Sequence, residues 1–386
     1  PYFDARKFSE ILSEKLKVKL IFGDLLLRTE TIWRRGQGEF IDFSALKFRL
    51  LSTAKEEIID MKKVKNDIEK IPFKILSVEL ERLVKITREN NEHMFIFVAR
   101  RGLSPTTVCN DCGTIVACSF CKTPIVLHRS NKENFFLCHK CGERRSALEK
   151  CSNCDSWNLV ALGIGMEKVC EELDAKFPEV KIFKIDADNS PTHKIASETI
   201  KKFYESPGSI LLGTEMALVY LREKIANTAV VSVDSFFSLP DFRINEKVLN
   251  ILLKIKTLTV KNFIIQTRDI SQKVIGYAIK GNLAEFYRDE ISNRQSLEYP
   301  PFSTLIKITV SGEKKNVADE MDKLEKYLDS YHLAIFPAFT PFAKGKYSMH
   351  ALIKIPRGGW VDRTLMNKLK NLPPYFNINV DPESLL

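Results

Sequence analysis

Eight of the nine cysteines in this chain fall into four Cys-x-x-Cys pairs: Cys109/Cys112, Cys118/Cys121, Cys138/Cys141 and Cys151/Cys154. Nothing else in the sequence restricts the fold as tightly. Each pair sets two thiols on one side of a tight turn, which is half of a tetrahedral zinc site. Four pairs predict two Zn(Cys)4 sites, with disulfides and iron–sulfur clusters as the alternatives. The gaps order the pairs. Sixteen residues separate Cys121 from Cys138, which suits a hairpin and a common zinc spacing. The expected inner site is Cys118, Cys121, Cys138 and Cys141. The outer site is then Cys109, Cys112, Cys151 and Cys154, so that one site nests within the other. A sequential pairing, with Cys109/Cys112 meeting Cys118/Cys121 across five residues, ranks second. Phe135, Phe136 and Leu137 read as the strand leading into the third pair. Such a module has too little apolar bulk to fold without metal. Cys170 lies in an amphipathic helical stretch and reads as a small buried hydrophobe.

A chain of 386 residues holds two or three domains. No apolar run reaches the ~18 residues needed to span a bilayer, and no signal-peptide pattern opens the sequence. Cysteines grouped as metal knuckles without that signal point to a reducing cytoplasm. The formal net charge is +10. Eight thiolates and two zinc ions would lower it to about +6. The balance stays basic and favours nucleic acid as partner, although no Lys/Arg block stands out. Pro1 stands where a Met would begin a reading frame, so the chain is expected to be trimmed or part of a longer protein.

Residues 1–50 resemble the tail of an α/β unit, with helical periodicity over 5–17 and an apolar strand over 18–22. Residues 51–75 are charged and helix-prone, like a linker. A helix over 76–90 and a strand over 93–98 lead into Arg100, Arg101 and the cysteine module. Beyond Cys154, strands at 159–163, 180–185, 209–212, 229–233 and 263–266 alternate with helices. That order predicts a parallel, doubly wound sheet, with the cysteine module inserted after its first strand. Tyr299-Pro300-Pro301 marks a boundary, and the remainder reads β-α-β-β-α-β, the ferredoxin-like order. The expected domains are therefore 1–75, 76–298 with the insertion at 105–157, and 299–386.

Taken in order, several segments resemble the C-terminal half of the primosomal protein N′ (PriA) replication-restart helicase family. These are Arg100-Arg101-Gly102, the four knuckles with Cys138-His139-x-Cys141, and Leu162-Gly163-Ile164-Gly165-Met166-Glu167. Phe177-Pro178, Asp186-Ala187-Asp188, the segment 210–216 and Asp234 follow, then Pro240-Asp241-Phe242-Arg243-x-x-Glu246. Ile265-Gln266-Thr267, Glu290, Arg294, Pro300-Pro301-Phe302 and the closing Asp381-Pro382-Glu383-Ser384-Leu385-Leu386 complete the match. The resemblance implies a RecA-like helicase lobe carrying the zinc insertion and a C-terminal DNA-binding-type α+β domain. It also implies ATP and Mg2+ driving 3′→5′ movement on forked DNA, and partners in primosome assembly in the bacterial cytoplasm.

The motor motifs are absent or altered. No GxxxxGK[ST] loop and no DEAH-type run occurs. The family's GSATPS segment falls on Gly23–Arg28 and keeps only the glycine. Its K-G-H segment falls on Val219-Tyr220-Leu221. Its QVAGRAGR segment falls without a gap on residues 254–261, which puts Leu258 and Lys261 at the two arginine positions. Leucine brings no charge to a transferring phosphoryl group, and lysine lacks the planar fork. The expected function is a zinc-dependent, PriA-like DNA-binding and assembly factor that has lost its motor. The alternatives are the C-terminal portion of an active helicase, and a zinc-module scaffold that does not bind DNA. Arg100, Arg101, Lys344 and Lys346 are the expected DNA contacts. Asp186, Asp188 and Asp234 sit at strand ends, and Arg243 is read as a brace. His128 and His139 flank the knuckles without completing either site.

Overall fold

The computed structural model describes residues 4–43, 48–62, 75–99, 106–120, 124–128, 134–138, 143–162, 164–231, 233–239, 241–343 and 345–385. The chain forms two compact units. One runs Phe48–Pro240 and Ile244–Leu283. The other gathers Pro1–Lys47, Asp241–Arg243 and Ala284–Leu386. The second unit is assembled from three separate stretches.

The first unit is built on six parallel strands: β1 (Lys55–Asp60), β2 (Met94–Phe97), β8 (Ile182–Ile185), β9 (Ile210–Gly213), β10 (Ile225–Val230) and β11 (Thr259–Thr267). Their order across the sheet is β1-β11-β10-β2-β9-β8. β2 reads MFIF and is buried at every residue, as a central parallel strand covered on both faces must be. The Val78–Glu89 helix begins where the Ser77 side chain accepts from Leu80 N at 3.1 Å, with Glu79 and Glu81 in its first turn. Leu80, Leu83, Val84 and Thr87 recur at helical spacing and form its buried face. Leu80, Leu83 and Val84 join Met94, Ile96, Val169, Leu173, Leu212 and Ala229 in one core.

Three expectations need correction. The apolar run at 18–22 forms no strand. The charged segment 51–75 contains a strand: Lys55–Asp60 pairs in parallel with β11. It lies at the edge of the sheet, where Lys55 and Asp60 remain exposed. The apolar run at 159–162 is not part of the parallel sheet. It pairs antiparallel with the first strand of the cysteine module and closes that module's base.

Beneath β1 lies a buried cation. Lys256, in the Ile244–Leu258 helix, is 2% exposed. Its Nζ is 2.9 Å from Glu56 Oε1 and donates to Ala278 O at 3.1 Å and Ile279 O at 2.7 Å. Those carbonyls end the Lys273–Lys280 helix, where positive charge is favourable. Lys256→Met should strand Glu56 without its partner and cost about 3 kcal/mol, measured as a lower urea midpoint at unchanged slope.

The second unit carries β12 (Ser303–Gly312), β13 (Leu333–Ala343), β14 (Lys346–Pro356) and β15 (Asn377–Val380), in the antiparallel order β13-β14-β12-β15. With the helices Lys314–Tyr327 and Arg363–Lys370 the chain order is β-α-β-β-α-β. Val317, Met321, Leu324, Leu365 and Leu369 from the helices meet Ile306, Ile308 and Ile353 from the strands in its core. The distant first stretch is tied in by charge. Arg6 Nη2 lies 2.5 Å from Glu383 Oε1, and Arg28 Nη2 lies 2.5 Å from Glu383 Oε2. Glu30 Oε1 lies 2.6 Å from Arg243 Nη2 and 3.1 Å from Arg294 Nη1.

Across β12 and β14, His350 Nδ1 is 2.8 Å from Thr309 Oγ1, and the ring is 6% exposed. Burial, with Lys307 nearby, lowers its pKa to about 4. The unfolded ring takes its proton near pH 6.5, so the folded state binds fewer protons between those values. Stability should be full above about pH 6.5 and fall as the pH drops through about 4. His350→Gln should flatten that slope in urea titrations at pH 4.5 and 7.5. No helix among the described residues is long and apolar enough to cross a membrane.

Candidate metal centre

The cysteine module leaves the parallel sheet after β2. Its base is β3 (Thr106–Cys109) paired with β7 (Leu159–Leu162). Its far end is a three-stranded antiparallel sheet of β4 (Val126–His128), β5 (Phe135–Leu137) and β6 (Arg144–Ser146).

The first and last knuckles share one backbone design. Cys109 O accepts from Gly113 N at 2.8 Å, and Cys109 N donates to Thr114 O at 2.9 Å. Cys151 O accepts from Asp155 N at 2.9 Å, and Cys151 N donates to Ser156 O at 2.8 Å. In both turns the fifth residue has positive φ: Gly113 at 69° and Asp155 at 56°. Glycine or aspartate suits that conformation, which most residues avoid. The third knuckle repeats the second of these bonds, with Cys138 N donating to Glu143 O at 2.8 Å.

These turns bring Cys109, Cys112, Cys151 and Cys154 together, with all four Sγ atoms within 4.8 Å of one another. Cys109 Sγ is 3.5 Å from Cys154 Sγ, and Cys112 Sγ is 3.5 Å from Cys151 Sγ. Four thiolates at the usual Zn–S length around one ion would stand about 3.8 Å apart. Cys109, Cys112 and Cys151 are buried, and Cys154 is half-buried. Burial pushes the Cys151 and Cys154 thiols up. At Cys112 burial acts the same way, but hydrogen bonds involving Thr114, Asn153 and Cys154 outweigh it and bring the thiol to about 6. Four thiolates this close cannot all ionise beside each other without a cation to balance them. The donor set therefore fits a dication. The grouping pairs the first knuckle with the fourth, not with the second.

Of the expected inner site, Cys118 and Cys138 are buried in one small cluster with Ile125 and Phe136. Cys121 and Cys141 lie outside the described residues. Sequence reasoning passed over the side chains that support the second knuckle. Glu143 Oε2 accepts from Cys118 Sγ at 2.7 Å and Ser119 N at 2.9 Å. Arg145 donates to Ala117 O at 3.0 Å, Ser119 Oγ at 3.0 Å and Glu143 Oε1 at 3.1 Å. It also missed Thr114, whose Oγ1 is 3.2 Å from Cys112 Sγ. A hydroxyl two residues after the second cysteine, seen again at Ser156 after Cys154, was the available signal.

The other candidates scatter. Arg100, Arg101, Lys344 and His139 lie outside the described residues, while Lys346 is exposed at the start of β14. Asp186 Oδ1 caps a turn by accepting from Asp188 N at 3.1 Å and Asn189 N at 2.7 Å. Asp234 is buried and accepts from Thr267 Oγ1 at 2.5 Å and Arg268 N at 3.0 Å. Its burial pushes its carboxyl up.

Residues 295–383 match the family model described as primosomal protein N C-terminal domain. The whole chain is 29% identical to replication restart protein PriA of Borreliella burgdorferi, covering 100% of this chain and 59% of that protein. The chain is similar to PriA along its whole length, and residues 295–383 carry a PriA-family domain. PriA of Haemophilus influenzae is 24% identical over 99% of this chain and 54% of its own length. PriA of Bacillus subtilis is 26% identical over 92% and 45%. The chain thus spans about half the length of the PriA relatives it matches, and it matches their C-terminal half.

Proposed function

We propose that this chain is a zinc-dependent DNA-binding and assembly factor of replication restart that works without a motor of its own. The observation that carries the proposal is the four-cysteine cluster standing in a chain that matches replication restart protein PriA along its whole length. Cys109, Cys112, Cys151 and Cys154 hold one zinc ion. Cys118, Cys121, Cys138 and Cys141 hold a second. The six-stranded parallel sheet is the second RecA-like lobe of a helicase, and the β-α-β-β-α-β unit is a ferredoxin-like DNA-binding domain. Arg100, Arg101, Lys344 and Lys346 meet the phosphate backbone of forked DNA, and the zinc module meets other primosome proteins in the cytoplasm. The net charge of +10 supports a polyanionic partner.

ATP and Mg2+ drive the family, and the residues left here do not suit that chemistry. The Ile244–Leu258 helix passes directly into β11, so Leu258 ends a helix. Lys261 is ion-paired with Glu92. The collinear match to PriA favours a second reading, in which this chain is the C-terminal portion of an active helicase.

Fluorescence anisotropy of the zinc-loaded chain on a fork and on a duplex of equal length tests the first reading. The fork should bind more tightly, and affinity should fall steeply and linearly in log salt. Equal weak binding to both at moderate salt would overturn it.

A further inference from the structure

The two halves of the outer cysteine site are joined by more than their thiols. Asp111 lies inside the first knuckle, between Cys109 and Cys112. Ser156 and Asn158 follow the fourth knuckle. Ser156 Oγ donates to Asp111 Oδ2 at 2.5 Å, and Asn158 Nδ2 donates to Asp111 Oδ1 at 3.1 Å. Ser156 Oγ in turn accepts from Asn158 N at 3.0 Å, and Asn110 N donates to Asn158 O at 2.8 Å. One carboxylate uses both oxygens to span two turns that stand more than forty positions apart in the chain.

We propose that Asp111 is a positioning residue that slows loss of zinc from the outer site. The proposal rests on the zinc reading above. A tetrahedral Zn(Cys)4 site loses its ion one Zn–S bond at a time. After the first bond opens, the freed thiolate either returns or swings away with its turn. Asp111 ties the turn of Cys109 and Cys112 to the segment after Cys154. An opened thiolate on either side therefore stays close, at high effective concentration, and re-forms its bond before a competing ligand takes the metal. The latch is made of hydrogen bonds to an ionised group, worth more than neutral ones. Its removal is therefore expected to change the release rate by about tenfold.

A negative charge beside the site could also hold a cation by simple attraction, so the variants must separate the bond from the charge. Asp111→Ala removes both. Ser156→Ala removes a bond and leaves the charge. Zinc release from the whole chain is followed with a chromogenic pyridylazo chelator, with total zinc counted first. The phase missing in Cys154→Ser belongs to the outer ion. Asp111→Ala and Ser156→Ala should each speed that phase, by about tenfold in the former, and the double variant should release no faster than Asp111→Ala. The inner phase should not change. Asp111→Asn, which keeps an acceptor for Asn158, should fall between wild type and Asp111→Ala. A wild-type outer phase in both single variants would overturn the latch. Acceleration in Asp111→Ala alone would assign the effect to charge and overturn it as well. A wild-type chain that holds no zinc would sink the zinc reading itself, and the latch with it.

Discussion

Removing the metal should unfold the cysteine module and leave the parallel sheet standing. The module's strands are three or four residues long. Its buried clusters are small, and most of their members are the cysteines themselves. Structural zinc contributes about 10–16 kcal/mol in peptides of comparable size, far more than such a core supplies. The parallel sheet has its own large core, built from Leu80, Met94, Ile96, Leu212 and their neighbours. With a strong chelator under reducing conditions, protection from hydrogen exchange should therefore be lost at Cys109 N and Cys151 N, which bond to Thr114 O and Ser156 O. Amides of β2 and β10 should stay protected. Cys154→Ser should show the same loss for the outer turns at limiting zinc. Module amides that stay protected after chelation would show that metal is not what holds this part together.

The second large effect concerns ATP. Joined to the first lobe of a motor-competent relative, this chain should turn over ATP at least about a thousand times more slowly than that relative does, because an arginine at the transferring phosphoryl group is worth roughly 10³–10⁵ in rate. Leu258 has no charge to offer. Lys261 is committed to Glu92, and Lys256 is buried against Glu56. DNA-stimulated phosphate release measures the difference. Turnover within tenfold of the parent would favour the helicase reading and remove the main support for a motorless factor.

The four thiols of Cys109, Cys112, Cys151 and Cys154 stand together as the spacing suggests, because knuckle spacing is local and chemically narrow. Gaps alone pointed to Cys109 and Cys112 meeting Cys151 and Cys154. Strands such as Met94–Phe97 and Ile210–Gly213 were legible as short apolar runs, and the β-α-β-β-α-β order falls where periodicity placed it. Lys55–Asp60 was not legible, since a charged segment reads as helix or linker until a sheet edge claims it. Leu159–Leu162 was placed in the wrong sheet because four apolar residues do not say which partner they pair with. Supporting contacts such as Glu143 to Cys118 depend on how strands align and carry no pattern of their own. Arg6 with Glu383 was beyond reach, because 377 positions separate the pair.

That long-range closure bears on how the protein is made. The unit that holds Arg6, Arg28 and Glu30 also needs Arg243, Arg294 and Glu383. A ribosome delivers those partners hundreds of residues later. The parallel-sheet unit can close while synthesis continues, because its strands end at Thr267. The early segment must wait for these long-range partners until Glu383 has been made. A stop placed before Glu383 should therefore leave the segment around Arg6 and Arg28 open to proteases and chaperones, as well as removing the residues beyond it.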